Sequence, residues 1–268
     1  MYLKSSTFFN WMFFSDGIET FEAAQCIYEI LEVADGIMVA RGDLGAEIPF
    51  AQVPRVQREL IAAAEKAQKP VIVATQMLET MMENPIPTRA EVTDVSLAVF
   101  QRADATMLSG ETAAGSYPIK VVETMSEILK ESESNFVSQS DLRNITTNTV
   151  PNGLAKSVAT LSQTLDDIDV IFVLTHSGKT AKDIASFRPK ADIFAFTDSE
   201  IVSKQLSLLW GTSGFYINFD SINPETTVQN ARNKFLKEYP KMKGKKFILL
   251  SGSIVNDEFV RTIQVRNL

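Results

Sequence analysis

Three short apolar runs each stop at a polar cluster rich in glycine or hydroxyls, and each is followed by a helical period. The runs lie at residues 36–40, 70–75 and 105–109, and they end in RGDLG, TQMLE and SGETAAG. None of them alternates polar with apolar residues, as a sheet with one wet face would require. Strands covered on both faces read this way, and that is the habit of parallel sheets. The intervening segments carry apolar residues three and four apart: Phe21, Ala24, Tyr28 and Leu31; Val53, Val56, Leu60 and Ala64; Val92, Val95 and Val99; Val122, Met125 and Leu129. That spacing predicts helices over 20–33 and 52–68, from 88 onward and from 118 onward. Thr88 with Glu91 makes a capping box, and Pro118 sits near a helix start, where its missing N–H costs little. Repeated strand, loop and helix imply βα units with right-handed crossovers. In such architectures ligands bind at the loops that follow the strands.

Residues 131–152 are polar and lack a helical period, which reads as a linker. A second α/β unit follows, with strands near 170–174, 193–197, 214–217, 247–250 and 260–265. The chain of 268 residues is long enough for two domains of ordinary size. The expected fold class is therefore α/β, with an atypical segment at 1–16, a first domain at 17–134, a linker at 135–150 and a second α/β domain at 151–268. A net charge of −7 argues against general affinity for nucleic acid or anionic membrane. No apolar run reaches the roughly 20 residues of a membrane span. The opening MYLKSSTFFNWMFF lacks the long apolar stretch and small-residue cleavage site of a signal peptide. One cysteine, Cys26, excludes an intrachain disulfide, and one histidine, His176, excludes any mechanism needing two.

Several residues could carry chemistry. Glu19 and Asp43 each follow a turn or strand end; together they could hold a magnesium ion, or they are two solvated loop acids. The glycines of Gly42–Asp43–Leu44–Gly45 lie after a strand and before a short helix, where backbone amides can face an anion, or where a tight turn is needed. The Thr75 hydroxyl either meets a carboxylate or phosphate or caps a helix. In Ser109–Gly110–Glu111–Thr112, Glu111 could be a base, a supporting group or an acid at a helix N-terminus. Thr175–His176–Ser177–Gly178–Lys179–Thr180 follows a strand and precedes a helix, and it reads as a phosphate loop or a capped turn. It is not a Walker A loop, because Val173 stands where that motif needs glycine.

The runs DGIMVARGDLGAEIP (35–49), KPVIVATQMLETM (69–81) and MLSGETAAGSYP (107–118), in this order, resemble the pyruvate kinase family. GIETFEAAQ is similar to that family's Lys-Ile-Glu strand end, and THSGKTA with FRP at Arg188 is similar to its C-terminal domain. The resemblance implies the last three to four βα units of a (β/α)8 barrel, then a separate α/β C-terminal domain. It implies transfer of the phosphoryl group of phosphoenolpyruvate to ADP, giving pyruvate and ATP in glycolysis, with magnesium and usually potassium, in a cytoplasmic homotetramer. By motif, Glu19 and Asp43 would hold magnesium. The amides of Gly42 and Asp43 with the Thr75 hydroxyl would hold the substrate carboxylate. Ser109 and Glu111 would lie in the network that protonates the enolate. Thr175, Ser177, Gly178 and Thr180 would cradle the phosphate of a sugar effector.

The sequence departs from the family pattern in ways that bear on activity. Gly17 stands where the family has the lysine that clamps the phosphoryl group, and Ala114 stands where it often has another lysine. The second barrel strand, with its potassium ligands and phosphate-binding arginine, and the lid domain are not matched. A partial barrel leaves a strand edge unpaired and an apolar face uncovered. By analogy with deleted transition-state donors, loss of the lysine alone costs about 3–4 kcal/mol. The expectation is a weakly active or inactive kinase. The alternative is a non-catalytic module that binds a phosphorylated metabolite through its C-terminal domain.

Overall fold

A computed structural model describes residues 17–136, 149–255 and 258–268. The chain divides into two compact units after residue 138. The atypical segment expected at 1–16 and most of the expected linker, 137–148, lie outside the described residues.

The first unit runs α1 (Phe21–Gln25), α2 (Ile27–Val33), β1 (Ile37–Ala40), α3 (Arg41–Glu47), α4 (Val53–Lys66), β2 (Val71–Ala74), α5 (Arg89–Phe100), β3 (Ala105–Met107), α6 (Gly110–Ala113) and α7 (Pro118–Phe136). β1, β2 and β3 are parallel and in sequence order, with Ala40 level with Ala74 and Ala74 level with Met107. Ile18 adds a parallel bridge to Val39 on the far side of β1. The sheet is open. β2, central in it, is buried throughout, whereas every residue of β3 is half-buried, and among the described residues no strand lies beyond it. Ile37, Val39, Val71 and Val73 pack with Leu60 and Val95 in one core. Each such side chain contributes roughly 1.5–3 kcal/mol when fully buried.

The predicted capping box forms, with Thr88 accepting from the Glu91 amide and the Glu91 carboxylate accepting from the Thr88 amide. Three expectations shift. The helix predicted over 20–33 is two helices broken at Cys26, so the phase resets: Ile27 and Leu31 are buried, whereas Phe21 and Tyr28 are exposed. On α7 the buried stripe is Val121, Met125 and Ile128, and Val122 faces out. The same helix runs on to Phe136 through residues read as linker. Ser132 tolerates that place because its hydroxyl donates to the Ile128 carbonyl one turn back and also meets Ser96 Oγ.

The second unit runs α8 (Val150–Thr164), β4 (Ile168–Leu174), α9 (Lys179–Ala185), β5 (Asp192–Thr197), α10 (Glu200–Leu206), β6 (Thr212–Tyr216), α11 (Pro224–Glu238), β7 (Lys246–Val255) and β8 (Glu258–Asn267). Its sheet has the order β6-β5-β4-β7-β8, parallel except for β8, which returns antiparallel to β7. Alternate residues of β4 enter different cores. Ile171 and Val173 pack with Ala155, Val158 and Ile184 of α8 and α9, and Val170 and Phe172 pack with Val228 and Phe235 of α11. Both faces are covered, which is why residues 170–174 of β4 read as an unbroken apolar run. The α11 face is aromatic: Phe172 meets Phe196 and Phe235 edge-on, with ring centroids 4.7 and 5.1 Å apart. The direction of strand addition reverses between β4 and β7, so a ligand crevice is expected beside the C-terminal end of β4. Among the described residues no helix is long and apolar enough to cross a membrane.

Candidate active site

Strand register gathers the sequence-predicted residues of the first unit. The Ile18 amide donates to the Met38 carbonyl at 2.7 Å, so Glu19 leaves its segment beside Ala40, the last residue of β1. Ala40 is level with Ala74, so Arg41 and Thr75 leave their strands side by side. Glu19, Gly42, Asp43 and Thr75 therefore stand at one end of the sheet, the C-terminal end, on neighbouring strands. Glu19 and Asp43 are both exposed. The Glu19 Oε1 atom lies 3.2 Å from the place a Cβ on Gly17 would take.

The loop after β1 differs from its sequence reading. Helix α3 starts at Arg41 itself, so Gly42 and Gly45 are inside the helix rather than in a turn before it. Asp43 is in the first turn, where an acid suits the helix dipole. The Gly42 amide donates to Thr75 Oγ1 at 2.8 Å. That amide, expected to face a ligand, is engaged by protein, and the Thr75 hydroxyl keeps its own proton to donate.

Thr75 and the next residue, Gln76, both have left-handed backbones, with φ of 65° and 53°. For a β-branched residue this is a true outlier, and such residues cost of order 1–3 kcal/mol each. Arg41 holds the turn. Its guanidinium is buried and donates to the Thr75 carbonyl through Nε and Nη2, at 3.2 and 2.7 Å, and to the Gln76 carbonyl at 2.8 Å. Its other arm pairs with Asp94 of α5. Sequence reasoning treated Arg41 only as the end of a strand. The available signal was its position, since an arginine following four apolar strand residues without a break is poorly placed to reach water and needs partners.

One strand further along, Ser109 precedes α6, and its hydroxyl is buried with no hydrogen-bond partner among the described residues. Glu111 is buried as well. One carboxylate oxygen accepts from the Leu78 amide at 3.2 Å and the other from the Ser109 amide at 2.8 Å. Glu111 thus ties the loop after β2 to the loop after β3. The backbone is pressed close here: a Cβ on Gly115 would lie 2.5 Å from the Glu111 carbonyl oxygen.

In the second unit, Thr175 leaves β4 with its amide still bonded to Phe196 of β5, and its hydroxyl accepts from the Gly178 amide at 3.0 Å. Gly178 has φ of 78°, the left-handed region that favours glycine. Ser177 is exposed and Thr180 sits in the first turn of α9. The structure thus brings Thr175 and Gly178 together and leaves Ser177 outward. His176 is exposed, and its Nδ1 lies 2.9 Å from Asp198 Oδ2, beyond the end of β5. Among the described residues, no group of three or more His, Cys, Asp or Glu side chains could share a metal ion. Two carboxylates, Glu19 and Asp43, follow neighbouring strand ends at the C-terminal end of the first sheet. Their chemistry fits magnesium, which commonly takes one or two carboxylates and completes its shell with water and substrate oxygens.

Comparison with known proteins identifies the family. Residues 14–122 match the family described as pyruvate kinase, barrel domain, and residues 152–265 match pyruvate kinase, alpha/beta domain. The chain is 48% identical over 199 residues to a pyruvate kinase of Geobacillus stearothermophilus, a span covering 72% of this chain and 33% of that protein. It is 39% identical over 237 residues to pyruvate kinase 2 of Synechocystis, covering 88% of this chain and 40% of that protein. It therefore spans about a third to two-fifths of the length of these relatives. A crystal structure of a pyruvate kinase from Cryptosporidium parvum superposes with a TM-score of 0.83 at 31% identity, covering 94% of this chain and 50% of that one. The strand ends bearing Glu19, Asp43, Thr75 and Glu111 all fall inside the barrel-domain match, the loop at Thr175 falls inside the other, and the chain belongs to the pyruvate kinase family.

Proposed function

We propose that residues 17–134 carry the enolate side of a phosphoenolpyruvate site, and that residues 151–268 form a separate regulatory domain. The observation that carries this reading is the hydrogen bond from the Gly42 amide to Thr75 Oγ1 at the shared C-terminal end of β1 and β2, with Glu19 and Asp43 flanking it. The Thr75 hydroxyl and the Asp43 amide are the donors that would orient a substrate carboxylate. The carboxylates of Glu19 and Asp43 would hold magnesium, which when bound neutralises charge developing on the enolate and the transferred phosphoryl group. The orphaned Ser109 hydroxyl would take part in protonating the enolate, with Glu111 fixing its loop. The reaction is phosphoryl transfer from phosphoenolpyruvate to ADP, giving pyruvate and ATP, in the cytoplasm and in a homo-oligomer, by family.

With Gly17 in place of the phosphoryl-clamping lysine, turnover by this chain is expected to be weak or absent. The test has two arms. Calorimetry with phosphoenolpyruvate at saturating Mn2+ is expected to show binding that Thr75→Ala weakens at least tenfold. A steady-state assay with phosphoenolpyruvate, ADP, Mg2+ and K+ is expected to show little turnover. No binding in the first arm would overturn the site, and near-normal turnover in the second would overturn the claim of weak activity.

A second reading is favoured by the position of Thr175, Ser177, Gly178 and Thr180 at the strand-order reversal between β4 and β7. This loop would take the phosphate of a sugar effector even if the chain does no chemistry. Titration with fructose 1,6-bisphosphate tests it, and no heat at millimolar ligand would remove it.

A further inference from the structure

We infer that Arg41 is a positioning residue for the substrate-carboxylate site: it holds Thr75 and Gln76 in their left-handed conformation and so keeps Thr75 Oγ1 on the Gly42 amide. This rests on the reading of that site given above, but its physical basis is independent of any ligand. Two consecutive residues other than glycine at positive φ do not persist without an outside constraint. The constraint in view is one buried guanidinium whose donors take both strained carbonyls, Thr75 and Gln76. Asp94 of α5 fixes the other face of the same guanidinium, so the fork cannot swing away. Planarity is what the task needs. A lysine would keep the charge and the pairing with Asp94, but it lacks a fixed fork to reach two carbonyls at once. Arg41 itself begins α3, the helix whose next residue donates the Gly42 amide. One residue thus fixes the acceptor through its side chain and the donor through its backbone.

Glycine adopts positive φ without steric cost, so Gln76→Gly should hold the turn with less help. The experiment follows hydrogen exchange of the Gly42 amide in the full chain. In Arg41→Lys that amide is expected to exchange at least tenfold faster while the amides of β2 keep their protection within twofold. Adding Gln76→Gly is expected to recover most of the loss. A side chain that only filled space would not be rescued by glycine at another position. Calorimetry then asks for function: Arg41→Lys should weaken phosphoenolpyruvate at saturating Mn2+ at least tenfold while changing the affinity for Mn2+ alone by less than twofold. Unchanged Gly42 exchange in Arg41→Lys overturns the inference, and so does an equal loss of protection across β2. If the wild type binds no phosphoenolpyruvate but the exchange pattern holds, the proposed substrate is wrong and the positioning role stands.

Discussion

Replacing Glu111 by alanine should cost the first unit about 2–5 kcal/mol. The side chain is 3% exposed, and its two oxygens serve two different backbone amides, those of Leu78 and Ser109. Removing the carboxylate strands the Leu78 donor away from water and the Ser109 donor in a part-buried place. A buried donor left unsatisfied costs about 1–3 kcal/mol, so two give about 2–6 kcal/mol, less whatever a water entering the vacated space recovers. Glutamine is the sharper probe. It keeps the volume and one oxygen, but its amide nitrogen must oppose one of the two N–H groups, so about 1–3 kcal/mol is expected. Against a domain stability of about 5–15 kcal/mol, either change is large but survivable. Urea unfolding followed by far-UV circular dichroism reads both, with the slope unchanged if only the native tie is lost. Losses below about 0.5 kcal/mol in both variants would refute the reasoning, because surface substitutions behave that way.

Three further outcomes are expected. Gly17→Lys should raise turnover of phosphoenolpyruvate and ADP by about 10²–10³-fold, the worth of one transition-state donor; a Cβ there lies 2.9 Å from Met38 Cε, a flexible tip that can move, and an unchanged rate would show that the missing lysine is not the main deficit. For Glu91, burial raises the carboxyl pKa, but hydrogen bonds from Thr80 and Thr88 outweigh it and hold the group below its ordinary 4.5. Its stabilisation is present above that value and lost as pH falls through the lower folded value, so Glu91→Gln should be less stable at pH 7 and flatter in acid unfolding curves. For Asp183, burial raises the carboxyl above its ordinary 3.8 despite Lys179, Lys182 and Arg261 nearby. The folded state then holds its proton longer, and stability falls as pH rises between the two values. Asp183→Asn should therefore melt above the wild type at pH 7, with the difference vanishing below about pH 4.

What the sequence revealed follows from how much of each feature is local. β2 and residues 170–174 of β4 were readable because burial on both faces leaves an unbroken apolar run. The capping box at Thr88 and Glu91 was readable because both partners lie within one turn. The break at Cys26 was not, since the apolar spacing of Phe21, Ala24, Tyr28 and Leu31 fits one continuous helix as well as two. Residues 131–136 looked like linker because serine and glutamate are common in both settings. Within that helix Ser132 bonds to Ser96, 36 positions away, which a local reading cannot see. Glu19, Asp43 and Thr75 could be nominated from their loops, but their gathering is a property of strand register. The task of Arg41 depends on carbonyls 34 and 35 positions away, and Glu111, besides its near neighbour Ser109, serves an amide 33 positions away; no local pattern encodes either long reach.

The left-handed turn at Thr75 also has a kinetic meaning. In an unfolded chain a threonine seldom visits that conformation, and nothing nearby in sequence encourages it. Its restraint is assembled from the end of β1 and the middle of α5, so the loop cannot settle until the sheet has paired and that helix has docked. The Thr75 hydroxyl should therefore be among the last groups to reach its place during folding and among the first to leave it on partial unfolding, so that a half-assembled unit would lack its bond to the Gly42 amide.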